Sequence, residues 1–338
     1  MRRSRRISCR GLAVPVLAAA VACVVAALPA FSAAAQLRPE RLYYGLDRAM
    51  PMTVTRPDGA EGELSIRLLA PVTAAVEAKS PCGEGRVDLA ELFDSLWERT
   101  FGEKLRYAQL FAGDTPVGPA VVLQPLLTPD LAQITRQRQI EWSGSPKVFS
   151  GYRTYVEQVA VMETSAGDIE FRMRPDEAPN SVWNFLTLSA GGFYTDIIFH
   201  RIIGGSADVP PFVVQVGDPT GMGSGGPGHF IDLERSQLPH TFGVLSMARS
   251  GDPNSNGSQV FICLSRERTR GLDGSYTAFA QAISGADIIE QLSAVRTGAN
   301  DRPIEPPVLE AVVLRDAAPY GTGPKPVTRP TAAAGTGR

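Results

Sequence analysis

Three apolar, strand-like runs carry the residues of this 338-residue chain best suited to act on a neutral substrate: Phe199-His200-Arg201-Ile202-Ile203, Phe212-Val213-Val214-Gln215 and Gly257-Ser258-Gln259-Val260-Phe261-Ile262. They offer one arginine, two amides and several phenylalanines, with no lysine, carboxylate pair or metal-ligand cluster beside them. Such a surface can bind a neutral apolar chain and polarise it without exchanging protons. Arg201 follows an aromatic residue and a histidine and precedes two β-branched residues, which predicts a strand with the guanidinium on one defined face. Taken singly, each residue also has an ordinary reading: Arg201 as a surface salt bridge, and Phe212, Val213 and Phe261 as plain core.

Taken together, FHRII, FVVQVGDPTG, GVLSMARS, NGSQVFI and LDGSYTAF stand in the order and near the spacing of cyclophilin-type peptidyl-prolyl cis/trans isomerases, and the chain is identified as resembling that family from about Val159 to about Leu314. Glu177-Ala-Pro-Asn-Ser-Val-Trp-Asn-Phe-Leu and Gly192-Phe-Tyr-Thr-Asp resemble the family's first helix and its exit. The resemblance implies an enzyme that speeds rotation about Xaa-Pro bonds in proline-containing polypeptides, with no cofactor and no metal, and the leader-like residues 1–35 make an exported, bacterial member the expectation. It also implies roles. Arg201 would hydrogen-bond toward the prolyl nitrogen, Gln215 would hold Arg201 and a substrate carbonyl, and Phe212 would complete the catalytic set. Val213, Phe261 and Leu272 would line the cup for the proline ring, with Ala248, Arg249, Gln259 and Tyr276 binding the flanking residues.

Several positions depart from the family pattern. Gly271 stands where cyclosporin-sensitive relatives carry tryptophan, so weak cyclosporin binding is expected. Val213 replaces a methionine, Val216 a glycine and Arg249 an asparagine, Tyr276 stands where many relatives have histidine, and the loop Gly204 to Pro211 is longer than usual. A second class of function stays open beside catalysis: a non-catalytic module that binds proline peptides.

The elements that must position these residues read as mainly β. Strands around Gln158 to Glu163 and Ile169 to Arg172 flank a Ser165-Ala-Gly-Asp168 turn. A helix begins at Pro179-Asn180-Ser181 and stops at Gly191-Gly192, and a second covers Ala286 to Leu292. A closed antiparallel barrel capped by two helices fits this pattern over residues 155–317, since closure removes exposed sheet edges. Residues 36–151 read as a small β-rich domain of unknown role, with an immunoglobulin-like sandwich as one candidate. Its strands fall near 52–55, 64–69, 105–111 and 119–123, and Asp88 with Glu91 suggests a capping box before an apolar helical stripe of Leu89, Leu92, Phe93, Leu96 and Trp97. Residues 318–338, rich in Pro, Gly, Thr and Ala, read as a disordered tail.

Residues 1–35 place five arginines before an apolar run and end in Ser32-Ala33-Ala34-Ala35, the order of a cleaved signal peptide. The run from Leu12 to Leu28 is broken by Pro15 and falls short of the roughly 20 residues of a spanning helix. A lipid-bearing Cys23 is the poorer alternative. A periplasmic or extracellular monomer without stable membrane insertion is the expectation. The formal charge is -2 for the whole chain, and loss of five arginines with no acid leaves it more negative, which argues against nucleic-acid binding. Gly221-Met-Gly-Ser-Gly-Gly226 satisfies the G-x-G-x-x-G pattern but runs into Pro227, with no helix behind it for a pyrophosphate. His200, His229 and His240 are too scattered for a zinc site.

Overall fold

The computed structural model describes residues 35–330 except 145 and 207. The expected signal peptide therefore lies almost wholly outside the described residues. None of the described helices is long and apolar enough to cross a membrane.

Two sheet units follow one another along the chain. The first packs a three-stranded sheet (37–39, 51–54 and 85–88) against a larger one in which 43–45, 149–156, 121–127, 106–112, 64–69 and 76–81 are successive neighbours. Leu37, Met52 and Val54 of the small sheet share a core with Ile66, Leu68, Leu110, Leu123 and Tyr152 of the large one, as alternating strand residues must when two sheets meet face to face. The expected helix over Leu89 to Trp97 is instead three single turns, Leu89–Leu92, Asp94–Trp97 and Arg99–Gly102, because Phe93 (φ -142°, ψ 77°) leaves helical geometry. Asp88 does cap the first turn, accepting from Ala90 N at 3.0 Å; its same oxygen accepts from Met50 N at 2.7 Å, which ties the turn to the small sheet.

The second unit is a nine-stranded antiparallel sheet: β1 (Gln158–Thr164), β2 (Gly167–Met173), β3 (Ile197–Ile198), β4 (Arg201–Ile202), β5 (Val213–Val216), β6 (Val244–Met247), β7 (Val260–Cys263), β8 (Ala278–Ala282) and β9 (Val308–Asp316). The lateral order is β3-β9-β1-β2-β8-β6-β7-β5-β4. Helices α1 (Pro179–Ala190) and α2 (Ala286–Ser293) accompany it, close to the predicted spans. Gly285 starts α2 in the left-handed region at φ 80°, where a Cβ would come within 2.5 Å of Asp168 O. The expectation of a closed ladder is corrected: β3 and β4 are the two edges and do not pair. Both are two-residue strands joined only by Phe199-His200, so the sheet curls until its edges belong to one short stretch of chain, and the hydrogen bonding stops there.

The units meet through a shared core in which Leu69, Tyr107, Val122 and Tyr155 join Phe171, Phe185 and Phe279. Glu157, between the last strand of the first unit and β1, is buried; its N–H donates to Ala120 O and its carbonyl accepts from Ala317 N. Residues 318–330 are also corrected from the expected disordered tail. Tyr320 stacks on Tyr107 with ring centroids 3.7 Å apart, Arg172 donates to Pro324 O at 2.6 Å, and Val327 N donates to Ala282 O at 2.9 Å. One aromatic anchor and a few hydrogen bonds hold a segment whose composition alone would not fold.

Candidate functional site

Cross-strand register builds the site. Arg201 on β4 stands opposite Gln215 on β5, Gln215 opposite Phe261 on β7, and Phe261 opposite Ser246 on β6. Directly opposed residues of antiparallel strands point to the same face, so these four side chains form one row across four strands. Their neighbours Val214, Val216, Ile262 and Val260 point the other way into the core inside the curled sheet. Strand alternation thus puts a second, outer cluster beside the row: Val213, Val244, Phe261, Cys263 and Ala278, with Leu238 beneath.

Phe212, Ala248, Leu272 and Tyr276 are half-buried around this cluster and form the walls of an apolar cup. Tyr276 meets Phe261 edge-on at 5.8 Å. Arg249 lies 4.6 Å over the Tyr276 ring and donates to Ser275 O at 3.0 Å and Ser250 O at 2.9 Å, so its guanidinium braces the wall. Phe212 closes the loop from Gly204, its N–H donating to Ile203 O at 2.7 Å, with Arg268 5.1 Å over its ring. Gly205 in that loop sits at φ 81°, and a Cβ there would lie 2.4 Å from Val209 O. At Gly271, beside Leu272, a Cβ would meet nothing within 4 Å.

The predicted site residues are therefore brought to one hollow, but not with every predicted contact. Gln215 Nε2 donates to Gln259 Oε1 at 2.9 Å, and Gln259 Nε2 donates to Gly225 O at 2.9 Å. The hydrogen-bond partner of Arg201 is Asp301, whose Oδ2 accepts from Nε and Nη2 at 3.3 Å. The Gln215 amide is turned to Gln259, diagonal to it and two residues before Phe261, which leaves the guanidinium to the carboxylate.

Sequence reading also missed a second layer. His240 stacks on Phe261 (centroids 6.1 Å, planes 18° apart); its Nδ1 lies 2.9 Å from Asp273 Oδ1 and its Nε2 lies 3.0 Å from Ser246 Oγ. Asp273 also accepts from His240 N at 3.0 Å and pairs with Arg266 at 2.6 Å. Burial opposes the Asp273 charge, but the Arg266 and His240 donors outweigh it and hold the carboxyl below the usual range. Burial also pulls His240 below its ordinary value despite Asp273, which keeps it neutral: Nδ1–H donates to Asp273 and Ser246 Oγ–H donates to Nε2. The turn after Leu272 is thereby tied to the floor under Phe261. The only local signal for this was Asp273 directly following a cup residue.

The glycine-rich loop has no free cradle. Asp218 accepts from Thr220 N and Oγ1, Gly223 N and Gly225 N, and although burial raises its pKa these donors hold it at about 2. The backbone donors that a phosphate would need are taken by the chain's own carboxylate. Among the described residues, no group of three or more His, Cys, Asp or Glu could hold a metal. His229 pairs with Asn184 at 2.9 Å, and His200 is buried, with Asp218, Arg302 and Arg201 as its charged neighbours.

Comparison with known proteins gives a consistent picture. The family model described as cyclophilin type peptidyl-prolyl cis-trans isomerase/CLD matches residues 159–313. A peptidyl-prolyl cis-trans isomerase of Schizosaccharomyces pombe is 43% identical over 159 residues, which is 45% of this chain and 97% of that protein. A peptidyl-prolyl cis-trans isomerase-like 1 of Emericella nidulans is 45% identical over 158 residues, 45% of this chain and 90% of its own length. Among solved structures, a Cryptosporidium parvum cyclophilin type isomerase crystallised in the presence of the dipeptide Ala-Pro is 34% identical, spans 47% of this chain and 99% of that one, and has a TM-score of 0.43.

Proposed function

Because the chain belongs to the cyclophilin-type peptidyl-prolyl cis-trans isomerase family, we propose that its isomerase activity resides in the cup between Phe212, Phe261 and Leu272 and depends on Arg201. The rotational barrier of an Xaa-Pro bond, roughly 18 to 20 kcal/mol, comes from amide resonance. In the twisted transition state the prolyl nitrogen turns pyramidal and its lone pair leaves conjugation. A donor aimed at that lone pair stabilises the twisted form over both planar ones, and nothing covalent is required. The apolar cup takes the pyrrolidine ring, and the Arg201 guanidinium at the end of the row supplies the donor without needing to reorganise. Gln215 and Gln259, linked to each other, offer their remaining amide atoms to substrate carbonyls.

The single observation that carries this reading is the row Arg201-Gln215-Phe261, which puts a cation beside an apolar floor on one face of the sheet. The Arg201–Asp301 ion pair is the observation that favours the other reading, a binding module whose arginine is structural. Isomerisation of a proline tetrapeptide separates the two: the wild type should be active and Arg201→Ala should lose about 100-fold in kcat/KM. Full activity in the variant would refute the role of Arg201, and a wild type no faster than buffer would leave the binding module.

The leader-like residues 1–35 support an exported protein whose clients are folding in the periplasm or outside the cell, where prolyl steps otherwise take tens to hundreds of seconds. The open space at Gly271 supports weak cyclosporin binding, and a monomer is the proposed state.

A further inference from the structure

A cavity of about 850 Å³ lies not at the cup but between the two sheet units. Its walls are unlike those of a side-chain gap. Seven consecutive residues, 124–130, line one side and seven more, 229–235, line the other. A strand seen face-on would contribute only every second residue, so the strand residues 124–127 present their edge, while 229–235 is irregular chain with one isolated bridge at Ile231. The roof is a helical stripe, Asn180, Trp183, Asn184, Thr187 and Leu188 of α1, at the i, i+3, i+4, i+7, i+8 spacing of one helix face.

The edge at 124–127 is open. The ladder between 106–112 and 121–127 ends at Arg106 opposite Leu123, and among the described residues no strand pairs with the following residues on that side. Open edges are where extended chains add by backbone hydrogen bonding, with side-chain pockets alternating along them. Half-buried Leu126, Trp142 and Trp183 supply those pockets. The hollow is held in shape across the two units by Asn254 Nδ2, which donates to Ala132 O at 2.9 Å, and by Arg235, which lies 4.7 Å over Trp142. One loop borders both cavity and cup: Gly225 O accepts from Gln259 on the cup side, and His229 meets Asn184 on the cavity side.

We propose that this cavity is a second binding site for an extended, unfolded polypeptide segment, continuous with the surface of the cup. The proposal rests on the isomerase reading, in that the segment belongs to the same chain whose Xaa-Pro bond the cup rotates. Carboxylates outnumber Lys and Arg six to three in the lining, so the preferred segment is apolar and not acidic. Two sites on one chain raise the effective concentration of each for the other, which would let a protein substrate bind more tightly than a peptide too short to span both.

The test uses the full chain and reduced, carbamidomethylated ribonuclease A as a permanently unfolded, basic probe. Thr187→Arg is the main variant, because this exposed helix position lines the cavity and its side chain supports no core contact. Trp183→Ala is the second. Both should weaken probe binding at least fivefold while tetrapeptide kcat/KM stays within twofold of wild type. Wild-type binding by Thr187→Arg would overturn the proposal, as would an equal loss of tetrapeptide turnover, which would mean that cup and cavity are one site. Cavity-dependent probe binding by a wild type without tetrapeptide activity would support the second site while refuting the isomerase assignment.

Discussion

Arg201 and Asp301, a hundred residues apart in the chain, meet at 3.3 Å through two guanidinium nitrogens and one carboxylate oxygen, with both side chains more than 40% exposed. The carboxylate sits on a turn in which Asn300 and Asp301 both adopt left-handed backbone, at φ 59° and 60°, a conformation stable only where the surroundings impose it. The pair engages Nε and Nη2 and orients the remaining Nη1 edge.

Removing Asp301 tests whether the pair positions the arginine. An exposed pair contributes about 0 to 1 kcal/mol to stability, so Asp301→Ala should melt close to wild type. If orientation matters, kcat for a proline tetrapeptide should fall about fivefold with KM little changed. The wild-type rate should fall toward that of the variant as salt screens the pair, while the variant stays flat. A variant at least as fast as wild type at every ionic strength would make the pair incidental.

His240 is the second positioning residue. His240→Phe keeps the ring against Phe261 but leaves buried Ser246 Oγ without its imidazole partner and takes one of three donors from Asp273, which keeps His240 N and Arg266, at a cost of about 1 to 3 kcal/mol in stability. The tetrapeptide kcat/KM should drop about tenfold because the side-chain link between the Leu272 turn and Ser246 on the cup floor is lost. The pH dependence carries a sign. Folding lowers the pKa of His240, so the unfolded chain takes up the proton more readily; this contribution to stability is present above the unfolded value of about 6.5 and lost as pH falls below it through the folded value. Thermal melts from pH 7.5 to 5 should show wild type losing more than His240→Phe; parallel losses would contradict a neutral, buried imidazole.

What sequence could reveal here was what neighbours in the chain encode. The strand alternation at Val213-Val214-Gln215 and Val260-Phe261-Ile262, and the Pro179 start and Gly191 stop of α1, are local signals, and the structure follows them. Asp301 and Asp273 reach their partners across 100 and 33 residues, and no periodicity reports such pairs. The open ladder depends on the short β3 and β4, which look like any other apolar run. The docked tail turns on one stack, Tyr320 on Tyr107, that composition averages away.

Gly271 gives a gain-of-function prediction. Its backbone is not in the left-handed region and a Cβ there meets open space, so tryptophan can be accommodated at the cup wall without strain. Gly271→Trp should strengthen cyclosporin inhibition at least tenfold, with tetrapeptide turnover within twofold of wild type. Nanomolar inhibition of the unaltered protein would refute the premise that this wall is missing.

Glu157 governs how the two units respond to pH. It is buried at their junction, and burial raises its carboxyl to about 8, with Arg172 opposing and Asp176 adding to the effect. Among the described residues, Oε2 has no hydrogen-bond partner to stabilise a charge. The folded chain therefore holds a proton that the unfolded chain releases near the ordinary carboxylate value of about 4.3. This group's contribution to stability is accordingly most favourable below the unfolded value and is progressively lost as pH rises toward 8, above which the loss is complete. Glu157→Gln keeps the shape and removes the titration. Its melting temperature relative to wild type should climb steadily between pH 5 and pH 8, by an amount equivalent to at least about 1 kcal/mol, since a tenfold difference in proton affinity between the folded and unfolded chains corresponds to about 1.36 kcal/mol. The difference should then level off. A constant offset across that range would mean that Glu157 is ionised in the folded protein and that the junction tolerates a buried charge.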